Sequence, residues 1–189
     1  MDEEAKEKQR HDVAMDIQML LNDLGLNPEE NPHLEETPTR VANTFLELTT
    51  PQPFTFTVFD SSDIDQMISV TNIPFYSLCA HHLLPFFGSA HVGYIPNGKM
   101  AGLSKLSRTV EYFSKGINVQ EELTHDIKEF LEEHLEPKGT MVVLEARHLC
   151  MEMRGAETRD HKTTTSAVSG VFLNPEKQAR TEFLELLRR

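Results

Sequence analysis

Both cysteines of this 189-residue chain lie within three residues of a histidine, in Cys79-Ala80-His81-His82 and in His148-Leu149-Cys150. Thiolate and imidazole are the ligands zinc prefers, and three protein ligands with a fourth position left to water make a catalytic site. A tight turn can close the first spacing on one ion. If the second stretch is a strand, positions i and i+2 face the same side. Five donors, Cys79, His81, His82, His148 and Cys150, then compete for three or four places. At least one histidine is left for acid–base work, to which an unperturbed pKa of about 6.5 suits it. The same residues admit a thiol nucleophile with its base. They also admit a buried turn in which cysteine is a small hydrophobe and histidine a satisfied core group.

A second set is basic. In Gly102-Leu-Ser-Lys-Leu-Ser-Arg108, Ser104, Lys105 and Arg108 fall at a helix start, where backbone N–H groups and the dipole favour an anion. Arg154 follows the second Cys–His pair, and Lys162 precedes a run of threonines. In a chain of net charge -12, such a gathering is what an anionic substrate requires, although a solvated helix face has the same look. Gln120-Glu121 opens another helical pattern. A carboxylate with an amide can read the hydrogen-bonding edge of a purine, although glutamates at helix starts commonly serve the dipole.

The elements that must hold these groups divide the chain at about residue 52, giving a helical region 1–52 and a catalytic domain 53–189. Val13, Ile17, Leu20, Leu21 and Leu24 recur at helical spacing, and Thr37-Pro38 looks like a cap and first helical position before Val41, Phe45 and Leu48. From Phe54 the texture is β: an alternating 54–59, a strand ending at Pro96-Asn97-Gly98, a long strand from Thr140 to Met153, and a last one in 166–173. Two helical patterns, roughly 103–115 and 119–135, lie between them, and Asn174-Pro175 looks like the start of a final helix. This order is α+β rather than strict βαβ alternation.

The 39% hydrophobic and 25% charged composition suits one compact soluble domain, and no run approaches the roughly 18 apolar residues of a membrane span. The charged N-terminus and two cysteines point to a cytoplasmic chain without a disulfide scaffold. The acidic balance argues against nucleic acid as partner.

The stretches SLCAHHLLPFFGSAHVGYIPNGKMAGLSKLSRTVEYF, NVQEELT, EARHLCMEMRG and TTTSAVSGVF, with ETPTRVANTFLEL before them, resemble the GTP cyclohydrolase I family in order and spacing. The resemblance implies a tunnelling fold: a four-stranded antiparallel sheet with a helix pair on one face, plus an N-terminal helical lobe, assembled as a homodecamer from two pentamers. It implies hydrolysis of GTP to formate and 7,8-dihydroneopterin triphosphate. By position it gives one zinc per subunit to Cys79, His82 and Cys150, and acid–base roles to His81 and His148. Glu121 with Gln120 would hold guanine; Ser104, Lys105, Arg108 and Arg154 would face ribose and triphosphate, with Arg40 reaching in from a neighbouring subunit. In this scheme zinc-activated water adds to C8 while His148 protonates N7. A second water releases formate, and Ser104 or His81 shuttles protons in the later rearrangement.

Two positions depart from the family's pattern. Ala80 stands where Glu is common, removing a carboxylate that could orient a ligand, and Glu122 stands where Arg is usual. Neither is a proposed ligand. Other readings are a different tunnelling-fold pterin or deazapurine enzyme, and a zinc-stapled interaction protein that would leave the basic and Gln-Glu sets unexplained.

Overall fold

The computed structural model describes residues 2–61, 63–158, 160–176 and 178–188. By internal contacts the chain divides into Met1–Thr50 and Pro51–Arg189. The first unit is two packed helices, α1 (Glu3–Asp23) and α2 (Thr37–Thr49). Asp2 caps α1 by accepting from the Ala5 N–H at 2.8 Å. No residue of α1 is buried: of the apolar stripe, Val13, Ile17 and Leu21 are half-buried and Leu20 and Leu24 exposed, as are Met15 and Met19 beside it. Thr37 lies inside α2 rather than capping it: the cap position is Glu36, whose side chain makes no capping bond.

In the second unit a two-stranded ribbon joins β1 (Val58–Ser61) to β4 (Gly98–Ala101). Phe54 to Thr57, expected as strand, is irregular. The main sheet contains β2 (Ile68–Cys79), β3 (Pro85–Ile95), β5 (Ile117–Asn118), β6 (Gly139–His148) and β7 (Thr163–Val168). Its order is β5-β2-β3-β6-β7. The four long strands pair antiparallel, and the two-residue β5 adds a parallel edge. Helices α3 (Leu103–Ser114) and α4 (Gln120–Leu135) lie together on one face, as the α+β reading expects.

Each helix exists because its apolar residues form one stripe. Leu106 and Val110 of α3, and Leu123, Ile127, Leu131 and Leu135 of α4, are buried at spacings of four against Phe75, Phe86, Val92, Val142 and Leu144 of the sheet. At about 25 cal/mol per Å2, burial on this scale makes the helix–sheet layer the main source of stability. The opposite face is covered at one end by a 3-10 turn (Gly170–Phe172) and α6 (Ala179–Leu186), through Met141, Val143, Phe172 and Phe183. The final helix starts at Ala179, not at Asn174-Pro175. Asn174 instead accepts from the Glu176 N–H at 2.9 Å, a local turn that competes with helix initiation.

The long strand expected over 140–153 stops at His148, where a helical turn α5 (Leu149–Glu152) takes over. Cys150 is therefore carried back by the turn instead of sharing a strand face with His148. At Gly88, where β3 crosses Ala146 of β6, a Cβ would sit 1.8 Å from the Glu145 carbonyl oxygen, so only glycine allows the approach that brings β6 beside β3. No helix among the described residues is long and apolar enough to cross a membrane.

Candidate metal centre

Cys79 is the last residue of β2, and a tight turn follows it. The Cys79 N–H donates to the Leu84 carbonyl at 2.9 Å, and the His82 and Leu83 N–H groups donate back to the Cys79 carbonyl at 3.2 and 2.8 Å. Leu83 closes the turn at φ 55, a left-handed conformation that costs a branched residue roughly 1–2 kcal/mol. The turn is tied from below by Asn118, whose side-chain amide donates to Ser77 Oγ at 2.9 Å and to the Phe113 carbonyl at 3.1 Å. The Asn118 carbonyl accepts from the Ala80 N–H at 3.0 Å. The end of α3, the end of β2 and β5 are thereby fixed to one another.

From the other side, the β3–β6 register sets His148 opposite Phe86, and the two rings stack at 4.7 Å between centroids and 5° between planes. The α5 turn then brings the Cys150 sulfur to 3.8 Å from that of Cys79. Both thiols are buried and free. The Cys79 sulfur also lies 3.7 Å from His81 Nδ1 and 3.9 Å from His82 Nδ1. Among the described residues, one set has all its ligand atoms within 4.8 Å of one another: Cys79, His148 and Cys150. His82 stands at the rim of that set, against Cys79 alone, and His81 and His82 are both exposed.

The donor set fits zinc. Zn–S bonds of about 2.3 Å at tetrahedral angles put two sulfurs roughly 3.8 Å apart, the separation found here. Burial raises the Cys150 thiol above its ordinary range. The hydrogen bond and charge of Cys79 raise it further, opposed weakly by the Arg154 charge. Two buried thiols this close ionise together only when a cation shares the site. His148 is held below its ordinary value, first by burial and then by the charge of His161, with Glu121 and Glu152 acting the other way. It is therefore neutral at pH 7, as a ligand or a proton acceptor must be.

The remaining candidates fall in different places. Ser104 and Lys105 lie in the first turn of α3, Ser104 exposed and Lys105 half-buried, and α3 packs on β2, the strand that carries Cys79. Arg108 faces a cleft of about 270 Å3 lined by Phe54, Glu111, Tyr112 and Lys115. Arg154 is exposed, and close enough for its charge to act on Cys150. Lys162 pairs with Glu145 at 3.5 Å. Arg40, in the first unit, pairs with Glu36 on its own helix. Glu121 and Glu122 are exposed in the first turn of α4, where the dipole favours carboxylates.

Gln120 turns inward. Its side chain is 2% exposed, and its Nε2 lies 3.2 Å from the Leu144 carbonyl, 3.1 Å from the Thr163 carbonyl and 3.1 Å from Thr165 Oγ1. Its Oε1 is 2.7 Å from His148 Nε2. The amide is committed to protein partners, so of the Gln120-Glu121 pair only Glu121 presents its side chain to solvent. The part played by Gln120, and those of Phe86, His161 and Thr165 around His148, had no local signal in sequence, because each depends on strand register.

The family model of GTP cyclohydrolase I matches residues 13–188. GTP cyclohydrolase 1 of Aquifex aeolicus is 47% identical over 177 residues, 93% of this chain and 95% of the relative. The Campylobacter jejuni protein of the same name (serotype O:23/36, strain 81-176) is 46% identical over 177 residues, 90% of this chain and 92% of the relative. A solved structure, the archaeosine synthase QueF-Like in the apo form, is similar at a TM-score of 0.45 and 18% identity, over 55% of this chain and 93% of its own.

Proposed function

The chain belongs to the GTP cyclohydrolase I family, and from that membership we propose that it hydrolyses GTP to formate and 7,8-dihydroneopterin triphosphate. The observation that carries this reading is the buried Cys79–Cys150 sulfur pair with His148 beside it, a set that fits zinc. Zinc there supplies Lewis acidity for the activation of water.

The chain's own residues divide the remaining work. We assign the third metal place to His82, whose Nδ1 lies 3.9 Å from the Cys79 sulfur on the turn that follows Cys79. His148, neutral, stacked on Phe86 and hydrogen-bonded to Gln120, takes a proton from the attacking water at its free nitrogen and passes it to the purine N7. Glu121 accepts the N–H groups of guanine. Ser104 and Lys105 at the α3 N-terminus, with Arg108 and Arg154, meet the ribose and triphosphate, where helix dipole and guanidinium charge both favour phosphate oxygens. Arg40 completes the phosphate site from a neighbouring subunit, and His81 or Ser104 carries protons after ring opening. The setting we infer is cytoplasmic.

Zinc-replete protein incubated with GTP should release formate stoichiometrically and, after oxidation, a fluorescent neopterin product. Zinc-replete protein that yields neither refutes the activity. Assembly as a decamer with pockets shared between subunits belongs to the same reading. Sedimentation of the active species should give a mass about ten times that of the chain, and an active monomer would refute shared pockets.

A further inference from the structure

The carboxamide of Gln120 cannot be turned over. Its NH2 group faces the carbonyl oxygens of Leu144 and Thr163 as well as Thr165 Oγ1, so exchanging nitrogen and oxygen would set the amide oxygen against two other carbonyl oxygens. The hydroxyl network agrees. Thr124 Oγ1 donates to the Gln120 backbone carbonyl at 2.6 Å, which leaves Thr165 Oγ1 to donate to Thr124 at 2.6 Å and to accept from Gln120. With its orientation fixed, Gln120 Oε1 can only accept, and the group 2.7 Å away is His148 Nε2. The stack on Phe86, 5° from parallel, keeps the imidazole in that plane.

We propose that Gln120 is a positioning residue that acts through His148, holding the neutral ring as its Nε2–H tautomer and leaving Nδ1 as the one nitrogen with a free lone pair. The residue that sequence pattern assigns to the guanine is thus built into the proton-transfer apparatus. Its anchors come from three elements: Leu144 on β6, Thr163 and Thr165 on β7, and Thr124 one turn along α4. The tautomer is accordingly set by the same register that brings β6 to the metal centre. A histidine side chain in water favours the Nε2–H form only several-fold, so both tautomers are populated. A single enclosed acceptor on one side imposes one, because the other form would leave Nε2 and the amide oxygen facing each other without a proton.

The functional consequence rests on the cyclohydrolase reading, but the tautomer does not, and the two are read separately. Full-length protein labelled with nitrogen-15 histidine, freed of metal and held in mildly alkaline buffer, reports the tautomer by NMR, with His148→Ala identifying the resonances. A protonated Nε2 with a bare Nδ1 is expected; Nδ1–H, or a mixture, overturns the proposal. Gln120→Leu should lose the single tautomer and lower kcat by roughly 10–100-fold, with KM for GTP unchanged. Gln120→Glu should restore both the tautomer and most of kcat, because its protonated carboxyl still donates to a carbonyl and accepts from His148. A rise in KM with kcat intact in Gln120→Leu would return Gln120 to the guanine and sink the proposal. Should Gln120→Leu fail to fold, the wild-type spectrum and Gln120→Glu decide: loss of the Nε2–H form in Gln120→Glu counts against it. Wild-type protein without turnover would remove the cyclohydrolase reading while leaving the tautomer result intact.

Discussion

Cys150→Ala is expected to lose zinc, and all turnover with it, while the fold survives. Cys150 lies on a four-residue helical turn at the end of β6; it borders the core cluster but belongs to neither the α3 nor the α4 stripe. Removing its sulfur deletes about one methylene's worth of buried contact, a cost of roughly 1 kcal/mol. Its loss from the metal centre weighs far more. A sulfur 3.8 Å from Cys79 spans one edge of a zinc tetrahedron, and no other described residue supplies a second thiolate. The remaining Cys79 and imidazoles make a weak site with most of its charge neutralisation gone. Metal analysis after dialysis against a chelator should give about one zinc per chain for wild type and well under a tenth of that for the variant, with circular dichroism unchanged. Full metal content in Cys150→Ala would take this residue out of the site.

The same residue sets the pH dependence of metal binding. Burial and the neighbouring Cys79 raise the Cys150 thiol, so the metal must displace a proton that is held more tightly than usual. Zinc affinity should therefore rise as pH rises toward the thiol's raised value and fall as pH drops, with protons released on binding. Calorimetry in buffers of different ionisation enthalpy measures that release.

How far the site could be read in the sequence depends on whether a feature is local. The helix pair was legible because Leu106, Val110, Leu123, Ile127 and Leu131 repeat at a helical period that nothing interrupts. The pairing of two Cys–His stretches was legible because a metal centre needs ligand types the chain has in short supply. The α5 turn was not: Leu149-Cys-Met-Glu152 continues the apolar run of β6, and four residues are too few for a period to show. A helical turn, and not a shared strand face, presents Cys150 to Cys79. The inward turn of Gln120 was invisible for a different cause. Its partners are 24 to 45 residues away in the chain and meet only through the β6–β7 register.

His148→Ala and His82→Ala should separate metal binding from proton transfer. His148 has the closer geometry to both sulfurs, and its far nitrogen is tied to an acceptor, an arrangement that suits a ligand as well as a base. A catalytic centre needs its fourth position open, however, and with the exposed His81 kept for later proton transfer, four donors remain at the sulfur pair: Cys79, Cys150, His82 and His148. One imidazole must be withheld. Withholding His82 would leave an exposed ring at the rim and no enclosed base. Withholding His148 keeps a half-buried, neutral imidazole whose orientation is held by Phe86 and Gln120, which proton transfer in the transition state requires. His148→Ala is therefore expected to keep its zinc and to lose opening of the purine ring by roughly 100- to 10,000-fold, the range for a lost general acid–base group. His82→Ala should lose most of its zinc. Metal content and formate release measured on the same samples decide the matter: zinc lost from His148→Ala and kept in His82→Ala would exchange the two roles, and near-normal turnover in His148→Ala would end its part in the chemistry.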